Sequence, residues 1–200
     1  MTDDVTTQAR DIPWSAGRWT HPPASSTAEG AHLLVEAVEG SDAWRHTAYG
    51  FVRSSEHALL SPLPEDAAVE VTFDIAYDGL FDQAGVFVRA SDEEWVKAGV
   101  EISDGLPQLG AVVTHGTSDW SVAPVPSWAG QPVTVRASRY GDALVVRARA
   151  GDAPWRLVRM ARFDVEGPVE AGPYLCAPSR AGLVVRFHSW RVTPGDAALH

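Results

Sequence analysis

FDQAGVFVRASDEEWVKAGVEISDGLPQLGAVVTHGTSDWS, residues 81–121, is the stretch on which the fold turns. Its WVKAGVEI core alternates strictly. Side chains of a strand point to opposite faces in turn, so Val96, Ala98, Val100 and Ile102 form one apolar side while Trp95, Lys97, Gly99 and Glu101 share the other. The apolar side is a core face. The other side joins an indole to a lysine and a glutamate, the combination of stacking area and a few fixed polar groups that a sugar site uses. The plainer alternative is a wet sheet face with cross-strand ion pairs, worth about 0–1 kcal/mol each.

Working outward, the segment Ser103-Asp104-Gly105 separates this strand from PQLGAVVT, and Tyr140-Gly141-Asp142 separates VTVRASR from ALVVRAR. Both are hairpin signals, and each predicts an antiparallel pair. Runs of Val, Ile, Phe, Trp and Tyr recur between Gly, Pro and Asp every eight to twelve residues or so. They place strands at 31–38, 47–53, 57–61, 67–77, 82–90, 94–103, 107–115, 132–139, 143–149, 155–162, 172–177 and 182–192. Helices are nearly absent from this pattern. The expected architecture is all-β, a sandwich or jelly roll of two stacked antiparallel sheets. One domain spans 1–200 with its core at about 12–193, and the polar ends 1–11 and 194–200 read as loose.

Composition narrows the function. The chain has 200 residues, 45% hydrophobic, a formal net charge of −10 and 21% charged side chains. An acidic surface of this kind does not suit nucleic acid or an anionic membrane, both of which demand a basic patch. The single cysteine, Cys176, excludes an internal disulfide framework and favours a reducing compartment; its PYLCAP setting reads as buried strand. No basic segment followed by an apolar run opens the sequence, and no apolar stretch has the roughly 18 residues of a membrane helix. The expected location is the cytoplasm. An acidic sandwich with exposed edge strands is also of the kind that pairs into a homodimer.

Candidate site residues cluster in three places. Asp82 and Gln83 stand where a loop enters a strand; the structural reading of Asp82 is an Asx-type turn, the functional one ligand contact. Arg89, on the face of Gly85 and Phe87, is the expected buried counter-ion of Asp82, Glu101 or a neighbour. His115, Ser118, Asp119 and Trp120 combine a turn, an acid, a hydroxyl and an indole, although SDW also fits a turn whose tryptophan plugs the core. The 42–51 segment packs Trp44, Arg45, His46 and Tyr49 into ten residues, with half of its aromatics expected in the core. No cofactor or metal is expected, because the seven histidines show neither HxH nor HExxH spacing and no phosphate-cradling glycine motif or nucleophile elbow occurs. Glycoside hydrolysis requires only two facing carboxyls, for which Glu101, Asp82 and Asp119 are the candidates.

Three blocks, TAYGF at 47–51, FDQAGVFVR with WVKAGVEI and VVTHGTSDWS, and GPYLCAPSRAG at 172–182, together resemble the YesU-like family. That family is catalogued as a domain of unknown function (DUF1349) and is related to the proteins named regulation of enolase protein 1. Its corresponding strings run close to YGF, YDQAGLMVR, WxKxxxE, VVTN-SDWS and GxYxCSP. The resemblance covers about 45–190 and implies a concanavalin A-like sandwich with a ligand groove on a concave face. It marks Tyr49, Asp82, Gln83, Trp95, Lys97, Glu101, Ser118, Asp119 and Trp120 as positions of interest. This chain departs from it in Phe81 and His115, and Glu101 lacks the following carboxylates of the related glucanases' ExDxxE strand. The expected function is binding of a carbohydrate or a small hydroxylated or acidic metabolite. A glycosidase and a regulatory protein-interaction module are the alternatives.

Overall fold

The computed structural model describes residues 8–198. Its strands, in chain order, are β1 Arg10–Asp11, β2 Arg18–Trp19, β3 Ser25–Glu29, β4 His32–Glu36, β5 Ala43–Arg45, β6 Val52–Ser54, β7 His57–Pro62, β8 Ala67–Asp74, β9 Gln83–Arg89, β10 Glu94–Ser103, β11 Leu106–His115, β12 Thr117–Pro124, β13 Pro132–Tyr140, β14 Ala143–Ala150, β15 Arg156–Arg162, β16 Glu170–Cys176 and β17 Val184–Pro194. Two short 3-10 turns, at Trp14–Ala16 and Pro126–Trp128, are the helical elements among the described residues.

Two antiparallel sheets face each other. One runs β15-β14-β13-β8-β17-β4-β3 with β1 paired to β17, and the other runs β12-β11-β10-β9-β16-β7-β2. The expected sandwich is therefore present, with Val96, Ala98, Val100 and Ile102 in the core between the sheets. They meet Val69, Val71 and Phe73 of β8, Val133 and Val135 of β13, and Leu144 and Val146 of β14, all buried. Burying a side chain of this size contributes about 1.5–3 kcal/mol each, so this interface dominates the stability.

Both hairpins form as the turn residues require. Ser103 pairs with Leu106 across Asp104-Gly105, whose φ values of 54° and 72° are those of a type I′ turn, and Tyr140 pairs with Ala143 across Gly141-Asp142. In β17 a register shift between Phe187 and Ser189 inserts one residue, so inward positions change phase from Val185 and Phe187 to Trp190 and Val192.

Three expectations need correction. Of the strand placed at 47–53 only 52–53 is strand, in β6; 47–51 form the loop that joins β5 to β6, because His46 and Ala48 adopt left-handed backbone (φ 62° at both) that no strand accommodates. The segment 115–121, read as a turn, turns only at Gly116 (φ 69°) between the end of β11 and β12, and Thr117 to Ser121 belong to β12 at the edge of the second sheet. The loose ends are in part ordered: Arg10 and Asp11 pair with β17, and Asp196 is held by Arg136 (3.0 Å) and by Arg147. Residues 1–7 and 199–200 lie outside the described residues.

Candidate functional site

The outer face of the second sheet, away from the core, carries the site, and strand register sets its layout in rows. One row runs Phe87, Lys97, Val112 and Trp120 across β9, β10, β11 and β12. The next runs Tyr174, Gly85, Gly99, Gly110 and Val122. The third runs Cys176, Gln83, Glu101, Gln108 and Pro124. Polar side chains thus flank a strip of bare backbone. The three glycines are a packing requirement: a Cβ at Gly85 would collide with the Ala98 carbonyl, at Gly99 with that of Ala84, and at Gly110 with that of Ser121.

The segment 39–56 folds over one end of this face. Trp44 and Ala43 of β5 join Trp95, Phe87, Val112, Tyr174, Ala58, Leu60 and Cys176 in a second buried apolar cluster. The segment is tied down by Arg45, whose backbone N–H donates to Ser118 Oγ (2.9 Å) and whose side chain donates to Gly116 O (3.0 Å) and pairs with Glu93 (2.6 Å). Past this cover a groove of about 230 Å³ stays open, lined by Asp42, Gln83, Lys97, Glu101 and Trp120, with Tyr49, Phe51 and Phe81 around its mouth. Tyr49 and Phe51 stack at 5.4 Å on the loop between β5 and β6, and Tyr49 is 61% exposed.

Electrostatics concentrate at the groove floor. Lys97 Nζ donates to Asp42 Oδ1 at 2.9 Å, and its side chain is 5% exposed. Burial pulls the Lys97 ammonium down, but Asp42, with Cys176 and Glu101, more than offsets this and holds it above its ordinary value. Burial raises the Glu101 carboxyl to about 7; Lys97 opposes the rise and Asp42 adds to it. The Cys176 thiol, fully buried, is pushed well up by desolvation. Two acceptors in the groove wall have no partner: Glu101 Oε1 and Gln83 Oε1. Gln83 Nε2 donates to Phe81 O at 3.2 Å, which fixes the orientation of the amide and leaves its oxygen as an acceptor.

Of the residues singled out in the sequence, Lys97, Glu101, Gln83, Trp120 and Tyr49 come together here. The others do not. Trp95 is 4% exposed and stacks on Phe87 at 5.3 Å under the β5–β6 cover, so it is a packing residue and offers no stacking platform. Asp82 is fully buried; its Oδ2 accepts from Arg180 Nε (2.9 Å) and the Gly79 backbone (3.1 Å), the structural role of a loop anchor. Arg89 pairs with Asp92, not with Asp82 or Glu101. Asp119 alternates with Trp120 and Ser118, leaves the groove face and pairs with Arg159 of β15 at 3.2 Å. Ser118 is buried and bonded to Thr114 Oγ1 (2.8 Å) and the Arg45 backbone. His115 contacts Glu94 and Arg162 O (2.9 Å) at the end of β11, away from the groove. Asp82 and Asp119 therefore cannot face Glu101.

The residue that sequence reasoning missed is Asp42. It sits in SDAW, an unpatterned loop 55 residues from Lys97, and the signal available was only that a lysine on a covered sheet face demands a carboxylate partner. Among the described residues no three His, Cys, Asp or Glu side chains converge to hold a metal ion.

Two facing antiparallel sheets with a polar, aromatic-mouthed groove on one outer face define a concanavalin A-like jelly-roll sandwich. Solved structures of that class share its fold: a lectin from Bauhinia forficata in complex with GalNAc superposes with a TM-score of 0.59 at 11% identity, covering 95% of this chain and 99% of the lectin. A xylan beta-1,4-xylosidase from Bacillus halodurans gives 0.68 at 15% identity, where the chain spans 94% of its own length and 39% of the enzyme. At these identities the likeness concerns fold alone. The chain belongs to the family described as protein of unknown function (DUF1349), which matches residues 19–195. Within reach of direct alignment is Regulation of enolase protein 1 of Saccharomyces cerevisiae, 37% identical over 194 residues, 96% of this chain and 98% of that one. A crystal structure of a functionally unknown protein from the same yeast superposes with a TM-score of 0.87 at 35% identity over 93% of this chain and 100% of the other.

Proposed function

We propose that this protein binds a small carbohydrate or sugar-derived metabolite in the groove between Trp120 and the Gln83–Glu101 row, without needing to transform it. The observation that carries this reading is the pair of unpartnered acceptors, Gln83 Oε1 and Glu101 Oε1, buried in the wall of an aromatic-mouthed groove. Leaving a buried acceptor unsatisfied costs about 1–3 kcal/mol, and a bound hydroxyl removes that cost. Trp120, 38% exposed, offers a ring face for the apolar side of a sugar. The volume of about 230 Å³ falls below the roughly 300 Å³ at which drug-sized pockets begin, which suits one sugar unit more than a chain. The YesU-like strings, including TAYGF and FDQAGVFVR, supply Tyr49 and Gln83 to this groove, and a cytoplasmic setting accords with the lone buried thiol.

The test is a thermal-shift screen of the full chain against monosaccharides, uronic acids and phosphorylated sugars, since a ligand of the folded state raises Tm by mass action. A shift that disappears in Trp120→Ala supports the reading; a screen with no shift at millimolar concentration removes it.

A second reading has its own observation. Glu101, whose carboxyl burial raises to about 7, lines the same groove as the Asp42 carboxylate, so two carboxyls, the minimum sugar hydrolysis requires, meet one groove in place of the expected partners Asp82 and Asp119. Release of nitrophenol from aryl glycosides, abolished in both Asp42→Asn and Glu101→Gln, would establish it. The name of the yeast relative instead points to an interaction module. Exposed Tyr49, Phe51, Val52 and Leu80 are apolar surface such a role would employ.

A further inference from the structure

Resting on the sugar-binding reading, the charge balance of the groove narrows the ligand class. The buried cation is already taken: Lys97 Nζ lies 2.9 Å from Asp42 Oδ1 with only 5% of its side chain exposed, so it presents no free charge to an acidic group. What remains unsatisfied is acceptor capacity. Gln83 is 2% exposed, and its Oε1 is kept an acceptor by the donation of its Nε2 to Phe81 O. Glu101 stands directly opposite it in the β9–β10 register, its Oε1 also unpartnered. Side chains so paired start from Cβ atoms about 4.5–5.5 Å apart, close enough for both oxygens to be met by neighbouring hydroxyls of one ring.

Beside the pair lies the glycine strip of Gly85, Gly99 and Gly110, where no side chain rises from the sheet, and beyond it Trp120. From this arrangement we infer that the groove selects an uncharged sugar: the ring lies over the glycine strip, donates adjacent hydroxyls to Gln83 Oε1 and Glu101 Oε1, and rests an apolar edge on Trp120. Acidic sugars find no unpaired cation on the floor. Arg53, whose guanidinium stacks over Phe51 at 5.1 Å, stands at the mouth, which makes acidic sugars the necessary comparison.

The experiment is isothermal titration of the full chain with glucose, xylose, galactose, mannose and arabinose, set beside glucuronate, glucose 6-phosphate and glucosamine. The expected result is binding of at least one uncharged sugar, weakened tenfold or more by Gln83→Met and by Glu101→Met, each of which keeps length while deleting the acceptor. Glu101→Gln, which retains one acceptor oxygen, should lose less. Circular dichroism and melting of each variant separate lost binding from lost folding. If only the charged sugars bind, the selection inferred here is overturned while sugar binding stands. Binding of uncharged sugars that both methionine variants leave intact places the ligand elsewhere and also overturns it. No binding by any of the eight removes both readings.

Discussion

At the scale of single residues, Glu101 and the two tryptophans make opposite predictions. Folding raises the Glu101 carboxyl from its ordinary 4.5 to about 7, so the folded state holds a proton that the unfolded chain has given up across that interval. Its contribution is fully present below about pH 4.5 and is lost as pH rises to about 7, at about 1.4 kcal/mol per pH unit, about 3 kcal/mol in all. Urea titrations at pH 4.5 and pH 8 should therefore show Glu101→Gln gaining on the parent protein at the higher pH; an equal offset at both would refute the buried, protonated carboxyl. Trp95→Ala, emptying a stacked and buried site against Phe87, should lose about 3–5 kcal/mol. Trp120→Ala should lose less than about 1 kcal/mol while abolishing sugar binding. Calorimetric melting of the two variants side by side checks the contrast.

Among the elements, β9, β10 and β11 owe their close approach to the glycine row, and alanine there tests it. In Gly99→Ala the new methyl meets the Ala84 carbonyl, which is backbone and cannot swing aside, so we expect a loss of at least about 2 kcal/mol in chemical denaturation. A change under about 0.5 kcal/mol would mean that the strands relax freely. The same strands show how far the sequence could be read. Strict alternation in 94–103 placed Val96 to Ile102 in the core and Lys97 with Glu101 on the opposite face, because period-two patterning encodes side directly. It could not encode cover. Trp95 obeys the groove-face pattern, yet the β5–β6 hairpin, distant in sequence, buries it and brings Asp42 to Lys97. Edge strands were illegible for a related reason. β3 (SSTAE) is exposed at every position and β12 at all but Ser118, so neither carries an apolar alternation to detect.

For the molecule as a whole, the outer face of the first sheet is closed by a charged network that the C-terminal residues complete. Arg136 pairs with Glu70 (2.8 Å) and Asp196 (3.0 Å) and donates to Pro194 O (2.7 Å), while Asp196 also meets Arg147 and donates its backbone N–H to Ser138 Oγ (2.8 Å). Arg136→Met takes from Glu70 and Asp196 the partner they share, leaving Glu70 only Arg191 at 4.0 Å and Asp196 only Arg147, and should lose about 1.5–3 kcal/mol. Truncation after Pro194 should lose stability too, and combining the two changes should cost less than their sum; strict additivity in urea denaturation would show that the network does not act as a unit. The buried Cys176 gives the molecule a different property. Its sulfur lies in the row of Gln83 and Glu101, fully covered and held as an unreactive thiol. A maleimide or disulfide dye can therefore reach it only when the 39–56 cover lifts or β16 parts from its neighbours, and the rate of labelling becomes a clock for that opening. The only cysteine in the chain thus serves as a built-in stopwatch, one that any occupant of the adjacent groove should slow.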